Sequence, residues 1–381
     1  MNDVEKLREK IDRIDDRIAA LFDERMDTVR KIGEAKAESG IPVSDAEREK
    51  KIINRVTAEV GDDRKIYLKQ IYEKVFDVSK AYQTRYCNVD SSLGKEIRKA
   101  IESTGEEFPS SATVACQGVA GAYSMLACER LFPISEILYF KDWNGVFGAI
   151  ENGLCRYGIL PIENSSAGSV NAVYDLIQKH KFYIVRTVKL KVKHSLLAKN
   201  GTSLENVREI FSHGQAISQC SEFLKKYPWV KITEAENTAV AAKTIAESGR
   251  TDAAAIASPE CADIYGLKPL KNGIQNVDNN YTRFICISKE LEIYPNADKI
   301  SVVLSLPHVT GSLNKVLSRF SALGLNLTKI ESRPIASSEF EFAFYFDFEG
   351  DVRKREVYNL LSEMYNSLEY FAFLGCYREV G

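Results

Sequence analysis

Only four histidines occur in 381 residues, and they stand far apart. The eight cysteines (Cys87, Cys116, Cys128, Cys155, Cys220, Cys261, Cys286 and Cys376) form no C-x-x-C pair, and none has a histidine at ligand spacing. No metal site is expected from such a set, and thiols scattered through apolar segments read as reduced core residues of a cytoplasmic protein. Charge of one sign is lacking as well. A formal net charge of -2 leaves no overall basic field for nucleic acid or an anionic membrane, so any anion must be bound locally. No apolar run nears membrane-spanning length, and the charged start MNDVEKLREKIDRIDDRI gives no expectation of a signal peptide. A dinucleotide fingerprint is also missing. The stretch CQGVAGAYS has Gly118 and Gly121 but neither a third glycine nor a P-loop lysine, so no nucleotide cofactor is expected.

What is present is a soluble globular composition, 45% hydrophobic and 27% charged, in three segments of different period. Val4, Leu7, Ile11, Ile14, Ile18 and Leu21 follow a 3-4 spacing, which predicts one long helix from Asn2 to about Lys36 with a seam for a partner helix. Gly40 and Pro42 end it, Ser44 with Glu47 predicts a capping box opening a second helix, and a third runs from about Arg64 to Tyr86. Three helices of such unequal length bury poorly alone, which favours an intertwined dimer. Residues 91–111, polar with Ser, Gly and Pro109, read as a linker. From Ala112 short runs such as TVACQG, RYGILPI and TRFICIS alternate with helix-length stretches, predicting two lobes of mostly parallel α/β layers. The tail has the order of a split β-α-β-β-α-β unit.

Polar groups interrupt the packing stripes of all three leading helices. Arg25 lies on the apolar seam of the first, and Lys36, eleven residues on, falls about 20° away in azimuth; Arg8 lies about 100° from Arg25 and faces another neighbour. Asp45, Arg48 and Glu49 share a face of the second helix, and Ser79 and Gln83 extend the stripe of Tyr72 and Phe76 on the third. Buried polar groups need partners, and an anionic ligand would supply them. With LREKID, ERMDTVRKIGEAK, DAERE and SKAYQ, residues 1–90 resemble the all-helical chorismate mutases. That resemblance implies conversion of chorismate to prephenate. Arg8 (from the partner subunit), Arg25 and Arg48 would bind the carboxylates, Lys36 and Gln83 the ether oxygen, and Glu49 the ring hydroxyl, with Ser79 lining the pocket and Asp45 orienting its neighbours.

In residues 112–288 four polar clusters fall at predicted strand ends: CQGVAGAYS, PIENSSAGSV, SHGQA and NNYTRF. Together and in order they resemble prephenate dehydratase, although Gly214 stands where that family usually has Pro and Ala122 where Thr is common. The resemblance ties Thr282 most closely to catalysis and gives Arg283 a substrate carboxylate. Beside it, Glu163 is a candidate proton source, Asn164 and Gln215 candidates to orient prephenate, and Ser165, Ser124 and Ser212 divide between site and capping roles. His213 divides between a site residue and a structural histidine. Thr282 and Arg283 are expected to be presented together to one cleft.

Residues 299–378 resemble ACT regulatory domains. TGSLNKVL supplies Gly311, Ser312 and Leu313, and LGLNLTKIESRP supplies Asn326, Glu331, Ser332 and Arg333, for an L-phenylalanine effector. The whole expectation is multi-domain: all-α chorismate mutase helices, a two-lobed α/β dehydratase domain and an α+β ferredoxin-like ACT domain, assembled as a homodimer or homotetramer of phenylalanine biosynthesis under feedback inhibition. Two alternatives remain at this stage. A ligand-sensing regulator would need a basic recognition helix in place of the mixed charge found, and a mutase joined to a dehydrogenase would need the absent glycine fingerprint.

Overall fold

A computed structural model of the chain describes residues 3–39, 41, 43, 45–86, 91–334 and 342–381. Two compact units divide it: Met1–Lys99 with Lys299–Phe373, and Ala100–Asp298 with Leu374–Gly381. The first unit opens with α1 (Asp3–Ser39), α2 (Ala46–Ala58) and α3 (Asp62–Gln83). Ser44, expected to open the second helix, lies outside the described residues. Asp45 is the cap, its Oδ1 accepting from Arg48 N at 2.9 Å, so this side chain is spent on the helix end. Helices α1 and α3 approach at Gly33, where an added Cβ would lie 3.4 Å from Gln83 Cγ.

The segment expected as a linker carries a further helix, α4 (Ser92–Ser103). Leu93, Ile97 and Ala100 are buried at a spacing of four and three, a period that the surrounding serines and charges conceal. Gly94 faces Tyr358, whose Oη would lie 2.2 Å from a Cβ at that position, so only glycine permits the approach.

The second unit has two lobes, introduced by β1 (Ser111–Gln117), α5 (Tyr123–Leu131), β2 (Ile134–Phe140), α6 (Trp143–Glu151), β3 (Tyr157–Asn164), β4 (Gly168–Ser169), α7 (Asn171–His180) and β5 (Tyr183–Lys191). The chain then crosses to β6 (Ser195–Ala198), β7 (Glu209–Ser212), α8 (Gly214–Gln219), α9 (Ser221–Leu224), β8 (Lys231–Glu234), α10 (Thr238–Glu247), β9 (Ala253–Ala257), α11 (Glu260–Tyr265) and β10 (Lys268–Asn272). It returns as β11 (Tyr281–Ser288), which inserts between β5 and β3. The sheet orders are β5-β11-β3-β1-β2, with β4 on β3 and β16 (Glu379–Val380) beside β5, and β10-β6-β9-β7-β8.

The expectation of mostly parallel strands gives way to mixed sheets. β1 is parallel to β2 and β3, but β11 is antiparallel to both of its neighbours because it returns directly from the other lobe without a crossover helix. Val114, Cys116, Ile159, Val188, Phe284 and Cys286 form the core of the first lobe; the all-buried AAAIA of β9 centres the second. The seven described cysteines are buried thiols. Where the two crossings run side by side, Val192 N donates to Asn280 O (2.8 Å) and Ile274 N to His194 O (3.0 Å).

The first unit resumes with β12 (Lys299–Ser305), α12 (Ser312–Ala322), β13 (Leu327–Pro334), β14 (Phe342–Glu349), α13 (Arg355–Ser367) and the opening residues of β15 (Phe371–Tyr377), in sheet order β13-β14-β12-β15. Phe320 of α12 meets Phe346 and Phe348 of β14 on one face of this sheet. The outer side of the helical layer is covered by the leading helices: Asn359 Nδ2 donates to Thr84 O at 2.5 Å, and Ser91 Oγ to Ser362 Oγ at 2.9 Å. A short β16 (Glu379–Val380) closes the chain beside β5.

Candidate active sites

In the helical unit the interrupted stripes converge. Arg25 donates to Ser79 Oγ, and Ser79 in turn donates to Val75 O. Burial pulls the Arg25 guanidinium below its ordinary value, as desolvation of a cation must. Gln83 is buried beside them, and Lys36 Nζ reaches Val43 O at 2.8 Å across the α1–α2 connection. Glu49 Oε1 accepts from Lys80 Nζ at 3.1 Å. Arg48 is exposed on the same helix as Glu49.

Arg8 does not join them within one chain. Seventeen residues along a straight helix place it about 25 Å from Arg25. The seam around it is bare: Val4, Leu7, Ile11, Ile14, Ile18 and Leu21 are between 38% and 63% exposed.

In the two-lobed unit a cavity of about 370 Å³ opens between the lobes and includes Ser124, Asn164, His213, Gln215 and Thr282 in its lining. A β-bulge makes this possible. Arg283 pairs with Glu163 but Phe284 pairs with Pro161, leaving Ile162 over on β3. Pro161 has no N–H to give to the ladder, which is why register slips there. The slip puts both Pro161 and Asn164 on the cavity face, three residues apart, where a regular strand would have put them on opposite faces.

Asn164 is then fully committed. Its Oδ1 accepts from Ser166 N and Ala167 N, both at 3.0 Å, which fixes the orientation of the amide. Its Nδ2 donates to Asn280 Oδ1 and to Thr282 Oγ1, both at 2.9 Å. Thr282 therefore receives a hydrogen bond at its oxygen and keeps its own hydrogen for the cavity. The run NNYTRF is explained by this arrangement: Asn280 and Thr282 hold the two donors of one amide.

Four expected site residues lie elsewhere. Strand alternation turns Arg283 away from Thr282, and its Nη2 pairs with Glu163 Oε2 at 3.1 Å, so neither lines the cavity. The joint presentation of Thr282 and Arg283, and Glu163 as a proton source within the cleft, are corrected accordingly. Ser165 Oγ accepts from Tyr281 N at 2.9 Å and fastens the returning crossing to the end of β3. Ser212 is buried and donates to Ile256 O at 2.7 Å, a structural role. His213 Nδ1 caps α8 by accepting from Gln215 N at 3.3 Å, and the ring lines the cavity.

Among the described residues that line the cavity there is no lysine or arginine. Positive potential comes from helix ends instead, since the first residues of α5 (Tyr123), α6 (Trp143) and α10 (Thr238) all face it. Asp142 and Asn237 cap α6 and α10 through Gly145 N and Val240 N, whereas Ala122 gives α5 no side-chain cap. Sequence reasoning missed Trp143, Asn237 and His194; the first two carry the signal of an Asp or Asn at a helix start, and the third lies in a crossing with no pattern of its own. His194 Nε2 meets Gln219 Oε1 at 2.9 Å, and burial lowers its pKa, which leaves the ring neutral.

On the tail, Gly311 caps α12 in the left-handed region (φ 85°) with open space where a Cβ would stand, and Ser312 and Leu313 begin the helix. Glu331 and Arg333 share one face of β13 and Ser332 lies on the other; Lys329 Nζ pairs with Glu331 Oε2 at 3.2 Å. Asn326 Nδ2 donates to Glu349 Oε2 at 3.1 Å.

Comparison with known proteins places families on these parts. Residues 114–292 match the prephenate dehydratase family and residues 7–84 the type II chorismate mutase family. The bifunctional chorismate mutase/prephenate dehydratase of Escherichia coli (strain K12) is 30% identical over 383 residues, covering 97% of this chain and 95% of that protein. The chloroplastic arogenate dehydratase/prephenate dehydratase 2 of Arabidopsis thaliana is 39% identical over 276 residues, 69% of this chain and 72% of that protein. A solved prephenate dehydratase from Arthrobacter aurescens, in complex with L-Phe, superposes with a TM-score of 0.64 at 28% identity, over 70% of this chain and 89% of that one.

Proposed function

The chain belongs to the bifunctional chorismate mutase/prephenate dehydratase family, and from that footing we propose how its residues divide the work of making phenylpyruvate from chorismate. The helical unit performs the rearrangement to prephenate, which needs a compact conformer and stabilised charge but no nucleophile. Arg25, held by Ser79, and Arg48 take the carboxylates; Lys36 and Gln83 meet the ether oxygen, and Glu49 the ring hydroxyl. Arg8 arrives from a second copy, whose α1 covers the bare seam, so the enzyme works as a homodimer or a larger homo-oligomer.

The two-lobed unit, spanning residues 112–288 between its linking segments, carries out decarboxylation with loss of water. The ring carboxylate leaves as CO2, its bonding electrons pass into the ring, and the C–O bond breaks as the departing oxygen gains a proton and leaves as water. Thr282 polarises that oxygen. A threonine hydroxyl is too weak an acid to give up its proton unaided, so it acts as a positioned donor relaying a proton from solvent in the cleft. The bond from Asn164 to Thr282 Oγ1 is the observation that carries this reading, because it aims the remaining hydrogen. The amino ends of α5, α6 and α10, with Gln215, receive the carboxylates.

The tail, residues 299–378, acts as an ACT-type sensor for L-phenylalanine. Gly311 supports this, since its open backbone lets amides approach a carboxylate, as does the L-Phe complex of the Arthrobacter relative. For the effector to inhibit, it must prefer one state of the dehydratase cleft.

Pure protein given chorismate, without added metal or cofactor, is expected to yield prephenate and then phenylpyruvate. Accumulation of prephenate alone would remove the second assignment, and unchanged chorismate the first. Turnover unaffected by saturating L-phenylalanine would remove the third.

A further inference from the structure

The helical unit contains a part-buried charge cluster in which Lys80 and Asp77, outside the eight expected mutase residues, join Glu49, which is one of them. Lys80 of α3 is 19% exposed and lies between two carboxylates, 3.1 Å from Glu49 Oε1 on α2 and 3.8 Å from Asp77 Oδ1 on its own helix. Asp77 is 17% exposed and also feels Lys74 and Arg319. Burial raises its pKa against the pull of these cations. Both added cations lead to α12, for Lys74 Nζ donates to Ser318 Oγ at 2.5 Å and Arg319 borders the same seam. The hollow where Asp77, Lys80, Arg319 and Glu363 meet is only about 20 Å³, room for about one water, so these groups face one another and not a ligand.

Glu49 has a defined task in the rearrangement, and a carboxylate on an exposed helix turn can rotate away from it. Lys80 holds Oε1. Among the described residues no contact to Oε2 is found, which leaves that oxygen for a substrate hydroxyl.

We infer that Lys80 is a positioning residue of the mutase site, fixing the Glu49 carboxylate, and that Asp77 and the α12 residues behind it hold Lys80 in place. The inference rests on the proposed role of Glu49 in the rearrangement. It makes the mutase sensitive to side chains of the tail that never touch chorismate. An ammonium on a four-carbon stem reaches across two helices only if its far side is also held, and Asp77 provides that second grip.

A double-mutant cycle on the full-length enzyme tests it. Lys80→Met is expected to lower mutase kcat about tenfold, equivalent to one charge-assisted hydrogen bond, with KM little changed. Lys80→Arg should restore most of the loss. In a Glu49→Gln background Lys80→Met should cost nothing further, since it acts through Glu49. Arg319→Met should lower mutase kcat about two- to threefold by loosening Asp77. Dehydratase turnover and circular dichroism report whether each variant has folded. Additive losses from Glu49→Gln and Lys80→Met, or a Lys80→Met enzyme with parental mutase kcat, would overturn the inference. Absence of mutase activity in the parent would instead overturn the functional reading on which it rests.

Discussion

Thr282→Val removes one hydroxyl from the dehydratase cleft while keeping the shape of the side chain. In the folded protein the loss is small, because Asn164 Nδ2 keeps its bond to Asn280 Oδ1 at 2.9 Å and gives up only the one to Thr282. One neutral hydrogen bond of this kind is worth about 1 kcal/mol of stability. In the transition state the loss is larger under the proposed role, in which the hydroxyl meets an oxygen gaining negative charge in a cavity whose described lining holds no lysine or arginine. Loss of a single positioned donor to a developing oxyanion costs about 100- to 1,000-fold in kcat, or about 2.7–4 kcal/mol. Phenylpyruvate formation from prephenate is therefore expected to fall by that factor, with chorismate consumption unchanged in the same preparation. Asn164→Asp gives an independent handle. A carboxylate at that position accepts where the amide donated, so the Thr282 hydrogen turns away from the cavity and kcat falls to a similar extent without loss of the hydroxyl. Thr282→Val with more than a third of parental kcat, or Asn164→Asp with parental kcat, would refute the geometry from which the role of Thr282 is argued.

Other consequences are as direct. Arg25→Ala should abolish most mutase activity and leave the dehydratase intact, because it strands Ser79 and removes a half-buried guanidinium; coupled assays of both steps on one sample check this. Equal mixtures of Arg8→Ala and Arg25→Ala protein, unfolded and refolded together, should recover about a quarter of parental mutase activity by statistical pairing of subunits, and no recovery would rule out a site shared between copies. Leu7→Glu with Ile14→Glu should shift the sedimenting species to a smaller mass with loss of mutase activity. Gly311→Ala, placing a Cβ at φ 85°, should weaken L-phenylalanine inhibition and cost about 1–2 kcal/mol in the fold, read by dose response and by urea titration. Glu209 is held at a pKa of about 2 by hydrogen bonds from Thr233, Arg250 and Lys231. A depressed carboxylate stabilises the fold above its unfolded value and loses that contribution as pH falls from about 4.5 to about 2. Glu209→Gln should accordingly lower the thermal midpoint at neutral pH and flatten its decline on the acid side.

The parts legible in the sequence were those where chemistry and period coincide. Val4 to Leu21 announced a helix with an uncovered seam, and Arg25, Ser79 and Gln83 stood out because a polar residue on an apolar stripe requires a partner. Helix α4 was obscured by the opposite effect, since Leu93, Ile97 and Ala100 are diluted by serine and lysine and give little signal of their own. The roles of Glu163 and Arg283 were misplaced for a different reason. Residue type marked them as ionisable neighbours of Asn164 and Thr282, but adjacent residues of a strand take opposite faces, so a cleft that takes Asn164 and Thr282 turns Glu163 and Arg283 away. Trp143 and Asn237 reach the cavity through helix starts on two different lobes, a convergence that pairing in space alone reveals.

That extra residue on β3 has one more implication. Because Ile162 is surplus to the ladder, deleting it would leave Pro161 and Asn164 two residues apart on the same cavity face, with Glu163 still turned away, as strict alternation requires. Loss of one residue from the regular run before it, such as Ile159, would instead turn every side chain on one side of the gap to the opposite face. The bulge is thus a place in this strand where chain length can change by one residue without exchanging the side chains that face the cleft.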